Sequence, residues 1–134
     1  MFLKEKIEDI FLIKVSALLI HAAKIDENFT SEERIIIEKT LLKLGANESK
    51  LNQIIEKSKI LEEDSNQILD FTREIKNLSV KEKINIVESL WRVVYSNKNA
   101  DIYETNLMSR LAGLLYIDSK IMGDIKDKIK NQNL

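Results

Sequence analysis

Four oxygen-bearing side chains stand at matched places in two polar loops: Asp26 and Glu33 at the first, Asn97 and Glu104 at the second, seven residues apart in each. Carboxylates and carboxamides gathered from neighbouring loops are the ligand types of hard cations such as Ca2+ and Mg2+, which take oxygen donors. The first loop alternates further donors, Asp26, Asn28, Thr30 and Glu32. An EF-hand beginning at Asp26 requires glycine where Ser31 stands and a bidentate acid where Ile37 stands, so that motif is excluded. A cation site would have to use both loops, with Asp26 and Glu33 facing Asn97 and Glu104. The other account needs no ion. Glu33 closes the run Thr30-Ser-Glu-Glu33 and Glu104 closes Asp101-Ile-Tyr-Glu104, the spacing at which a glutamate caps the start of its own helix. Lys98 beside Asn97 would set a positive charge against any divalent ion. Capping accounts for both glutamates, and the metal reading stays open beside it.

The other chemically capable residues have plainer expectations. His21 is the one histidine, and without a second nitrogen or a sulfur ligand it cannot build a zinc site. It also lacks a nucleophile at recognisable spacing and is expected at a helix end, hydrogen-bonded near the first loop. Glu62 and Glu63 are adjacent, so on a helix they point in different directions and do not form a catalytic pair. With Lys57, Lys59 and Asp64 they read as a solvated surface. Trp91 falls on an apolar stripe and reads as core. No catalytic constellation emerges, and the chain reads as a non-enzyme.

Composition narrows the field further. The 134 residues carry 21 basic and 22 acidic side chains with no basic stripe, which argues against a nucleic-acid binder. Cysteine is absent, removing disulfides, thiolate catalysis and cysteine-ligated zinc, in keeping with a cytoplasmic location. The apolar run from Ile10 to Ala23 is broken by Lys14 and His21 and matches neither a secretory signal nor a transmembrane segment. Proline is absent and glycine occurs three times, as in chains that are helical throughout.

The elements that must position the loops follow from periodicity and caps. Ile7, Ile10, Phe11, Val15, Leu18, Leu19 and Ala22 predict an amphipathic first helix. A second runs from the Thr30 box through Ile36, Ile37, Thr40, Leu41 and Leu44 to Gly45, a left-handed terminator. Asn47 is expected to cap a third, with Leu51, Ile54, Ile55 and Ile60 inward. Asp64-Ser-Asn-Gln67 would cap a fourth, with Ile68, Leu69, Phe71 in part, Ile75 and Leu78. Ser79-Val-Lys-Glu82 opens a fifth, with Ile84, Ile86, Val87, Leu90, Trp91 and Val94. A sixth carries Leu107, Met108, Leu111, Leu114 and Leu115, its Ala112-Gly113 pair suggesting close approach of another helix. Asp118 caps a seventh, with Ile121, Met122 and Ile125, and residues 127–134 read as a fraying tail. Laid over each other, the loops align Leu19 with Leu90, Ala22 with Val93, Ile36 with Leu107 and Leu44 with Leu115. That predicts one all-α domain over residues 1–134, a compact bundle of about seven helices built from two pseudo-symmetric helix–loop–helix repeats.

The same loops carry a family resemblance. The stretches Ala23-Lys-Ile-Asp26-Glu27-Asn-Phe29-Thr-Ser-Glu-Glu33 and Leu90-Trp91-Arg-Val-Val94-Tyr-Ser96-Asn97-Lys98-Asn-Ala100-Asp-Ile-Tyr-Glu104 resemble the paired acidic loops of the TerB-like family, over roughly residues 11–126. The chain departs from the family pattern at Glu27, Asn97 and Lys98, and has Ser119 and Ile121 where a histidine and an acid are usual. The resemblance implies a non-enzymatic helical interaction module of metal-oxyanion or other stress responses, with weak cation binding at most at Asp26, Glu33, Asn97 and Glu104. An architectural or self-associating helical protein of the co-chaperone-adaptor type is the alternative, with Phe2, Leu3 and Tyr116 as contact residues. Protein partners are implied and no nucleic acid; a homodimer and peripheral membrane contact are left open.

Overall fold

The computed structural model describes residues 2–24, 29–65, 68–96 and 107–132, with backbone alone for residues 2–8. Within them the chain forms seven α-helices and no strand. They are α1 (Phe2–Ala23), α2 (Ser31–Lys43), α3 (Leu51–Asp64), α4 (Leu69–Thr72), α5 (Val80–Tyr95), α6 (Ser109–Leu114) and α7 (Ser119–Gln132). Short 3-10 turns at Glu48–Lys50 and Ile75–Asn77 lead out of the α2–α3 and α4–α5 connections. All seven helices send side chains into one buried cluster.

The first helix is the axis of the bundle. Val15 through Ile20 and the pair Ala22 and Ala23 are buried, leaving only His21 of that stretch partly exposed. A helix apolar on every side belongs in the interior rather than on a surface. The amphipathic reading is therefore corrected: α1 is covered all round, packing chiefly on α3 and also on α2, α4 and α5. Small residues at Ser16, Ala17, Ala22 and Ala23 let those neighbours come near. The Ser58 hydroxyl on α3 lies 3.0 Å from the Ile13 carbonyl of α1 and 2.6 Å from that of Ile54. At the outer end of α1 Ile10 is half exposed, another departure from expectation, and Ile7 lies outside the described side chains.

Helix ends follow the polar residues that the sequence places there. Thr30 and Glu33 make the reciprocal box at the start of α2. Ser79 caps α5 in half that form: its oxygen accepts from the Glu82 amide, while its hydroxyl donates to the Glu82 carboxylate at 2.9 Å. Asn47 caps the 3-10 turn that runs into α3, and the Asp118 carboxylate accepts from the Lys120 amide at 2.8 Å. Helix α2 ends with Ala46 bonding back to Leu41 and Gly45 to Leu42, with Gly45 at φ 101°. Those two bonds define a Schellman stop, which requires the left-handed conformation that glycine adopts freely. Helix α6 stops by the same two bonds, Ile117 to Ala112 and Tyr116 to Gly113, but there the left-handed residue is Tyr116, at φ 56°.

Several expectations need correction. The fourth helix is only one turn long, has no side-chain cap, and leaves Leu69 exposed while Phe71 is fully buried. Ile60 is exposed on α3, and Ile36 and Leu44 are half-buried, whereas their repeat counterparts Leu107 and Leu115 are buried. Leu19, Ala22, Leu90 and Val93 are buried as expected. Residues 127–132 are not a fraying tail. Helix α7 continues through Gln132, and Ile129 is 0% exposed where α7 packs on α5. A Cβ added at Gly113 would meet nothing within 4 Å, so Ala112-Gly113 is not a close-approach site. Gly113→Ala is therefore expected to raise stability by about 0.5–1 kcal/mol, the helix-interior cost of glycine, measurable by urea unfolding.

Candidate functional site

Of the four candidate ligands only Glu33 lies among the described residues; Asp26, Asn97 and Glu104, with Lys98, lie outside them. Glu33 is 2% exposed. Its Oε1 accepts the Thr30 backbone N–H at 2.9 Å, and its own N–H donates to Thr30 Oγ1 at 3.1 Å. The helix start would otherwise leave those amides unsatisfied, and a carboxylate in the first turn also meets the positive end of the helix dipole. The cap therefore accounts for Oε1 of this buried glutamate without recourse to an ion. Its donor set gives a cation one carboxylate whose Oε1 is already engaged. Among the described residues no group of three or more His, Asp or Glu side chains is placed to hold a metal.

The end of α1 that leads into the first loop carries a polar cluster. His21 Nδ1 lies 3.3 Å from Glu62 Oε1, and Lys24 Nζ donates to Glu62 Oε2 at 3.0 Å. Glu62 keeps only 11% of its side chain exposed, which corrects its reading as solvated. The Lys24 ammonium and the His21 ring hold this largely covered carboxylate in place and tie the end of α1 to the end of α3. The His21 ring packs beside Phe71, centroids 6.3 Å apart. His21 thus sits at a helix end near the first loop as expected. Its partner is 41 residues away, a separation for which no local spacing rule exists.

On the other side of the bundle Trp91 is 3% exposed, stacked on Tyr95 with centroids 5.8 Å apart, and Lys126 Nζ lies 5.9 Å from its ring. That is core packing with a cation over the ring face. The indole Nε1 is buried with no hydrogen-bond partner among the described residues. Between α2 and α5 the buried Thr40 and Ser89 hydroxyls bond each other, and Ser89 also lies 3.0 Å from the Asn85 carbonyl. These pairs fix how the helices flanking the two loops sit against each other.

A helical bundle with a capped acidic loop between its first two helices is one observation; the whole-chain comparison is the other. The family model described as tellurite resistance protein TerB matches residues 12–127. The chain belongs to the TerB family. Its match begins at Leu12, inside the central TerB helix α1, and ends at Asp127 of α7, so it spans both loops and nearly all of the described core. No curated protein and no solved structure matches it significantly. No helix among the described residues is long and apolar enough to cross a membrane.

Proposed function

We propose that this TerB-family chain is a non-enzymatic interaction module of a cytoplasmic stress response of the metal-oxyanion, tellurite type, working through protein partners. The observation that carries the reading is the family match over residues 12–127, supported by the local role of Glu33. An acid that fastens the start of α2 is a structural part of a scaffold. A second carboxylate built for general acid or base work would need a partner within hydrogen-bond reach of a substrate atom. Cation binding at Asp26, Glu33, Asn97 and Glu104 is on this reading weak at most, because Asn97 replaces a charge and Lys98 adds an opposing one.

The test is made in the cell that carries the protein. Deleting its gene is expected to lower survival on tellurite, and the wild-type chain supplied in trans is expected to restore it. Equal survival with and without the gene would remove the stress assignment. A Glu33→Gln chain, which keeps the side chain's shape and one oxygen acceptor, is expected to restore survival as well. Loss of rescue by that folded variant would instead point to an ionised Glu33 in the function.

A further inference from the structure

This inference rests on the reading of the chain as an interaction module and concerns the face around Tyr116, at the end of α6. At the end of α2 the left-handed stop is made by Gly45; at the end of α6, by the same pair of bonds, it is made by Tyr116. A bulky residue at positive φ is strained, and such strain marks sites with a use for the side chain. Core packing does not supply the use, since Tyr116 is 69% exposed.

Positive charge outweighs negative around the ring. Lys76 Nζ lies 5.6 Å and Lys83 Nζ 5.9 Å from the ring centroid. Arg73 and Lys76 line one groove against Tyr116, and Lys83 lines another. Among the described residues none of the three makes an ion pair, while Lys14, Lys24, Arg34, Lys50 and Lys128 all do. Lys83 keeps only 8% of its surface exposed, and that remnant opens on the smaller groove. The one acid lining these grooves is Asp118, which shares the smaller groove with Lys83 and whose Oδ1 also accepts from the Lys120 amide, so the two basic residues of the larger groove carry the excess charge.

The grooves on either side of Tyr116 carry apolar side chains among the charged ones. The larger, about 150 Å³, is walled partly by Leu69 and Leu114, and the smaller, about 40 Å³, by Val80 and Ile121. Leu69 and Val80 are themselves exposed, at 42% and 62%. We propose that this face docks an acidic protein segment with an apolar side chain in the larger groove beside Tyr116 and its carboxylates meeting Arg73, Lys76 and Lys83. Tyrosine and arginine are the residue types that anchor such contacts. Three cations on a chain of net charge −1 are too few to follow a nucleic-acid backbone or to hold an anionic membrane. A side-chain-sized groove beside an exposed aromatic ring instead fits a short peptide segment.

The experiment selects peptides from a displayed random library on the intact chain, then titrates synthetic copies by fluorescence. Selected sequences are expected to mix aspartate or glutamate with leucine or phenylalanine and to bind more weakly as salt rises. The Arg73→Glu, Lys76→Glu double variant is expected to lose about tenfold or more in affinity. Tyr116→Gly, which fits the backbone conformation, is expected to weaken binding with the thermal melt unchanged or raised. Amide shifts on peptide addition are expected at Gly113, Tyr116 and Val80. Selected peptides without acidic residues, or equal affinity for the charge-reversed chain, would overturn the proposal. So would tighter binding of phosphatidylserine vesicles or single-stranded DNA than of any peptide. A chain that rescues tellurite survival yet selects no acidic peptide would remove this face while leaving the stress role in place.

Discussion

Trp91→Ala is expected to destabilise the fold by about 3–5 kcal/mol, a large share of what a domain of this size has to lose. The ring is 3% exposed, stacks on Tyr95 and lies under Lys126, so its removal leaves a cavity where α5, α6 and α7 meet. The loss comes from packing and not from the indole N–H, which has no hydrogen-bond partner among the described residues. Trp91→Phe should therefore cost far less, about 1.5 kcal/mol or under, because most of the ring volume stays. Urea unfolding with unchanged slope measures both. An alanine variant within about 1 kcal/mol of the native chain would show that Trp91 is a surface platform and not core.

Ile129→Ala is expected to cost about 2–4 kcal/mol. Ile129 is 0% exposed and follows Met122 and Ile125 along the face of α7 that packs on α5. Lys130, next to it, is exposed, and Lys130→Ala should leave stability within about 0.5 kcal/mol of native. A chain cut after Lys128 would lose the same contact and is expected to melt early. If Ile129→Ala and Lys130→Ala behaved alike, the last turns of α7 would be dispensable, as a fraying tail would be.

That second case shows where the sequence was readable and where it was misread. Ile121, Ile125 and Ile129 are four apart, so the spacing that turned the first two inward also reaches the third; the lysines and asparagines around it hid the signal. Local chemistry was the most legible level. Thr30 with Glu33, Ser79 with Glu82, Gly45 and Asp118 each act within a few residues of themselves, and each is found at the helix end it predicts. The core of α5 was legible for a like reason, since Leu90, Trp91 and Val94 fall on one face whatever packs against it.

Features set by distant neighbours were not legible. That α1 is covered on all sides depends on α2, α3, α4 and α5 arriving around it, and an alternating count of apolar residues cannot say how many neighbours will come. The His21–Lys24–Glu62 cluster joins the ends of two helices, and nothing near Glu62 in the sequence separates it from its exposed neighbour Glu63. Tyr116 was readable as exposed but not as left-handed, because glycine or asparagine is the usual sign of that conformation. Of the candidate cation site, the part that rested on local geometry, the Glu33 cap, was legible; its assembly from two loops was not a local property.

The central claim is that the acids at the loops serve the scaffold first and hold a divalent cation weakly at most. Its most direct test is calorimetric titration of the native chain and of the Asn97→Asp, Lys98→Gly variant with CaCl2 and MgCl2 at matched salt. The native chain is expected to give little or no heat of binding. The variant is expected to bind more tightly, because both changes make the loop more negative and glycine lets backbone carbonyls turn inward. Tight calcium or magnesium binding by the native chain would contradict the claim.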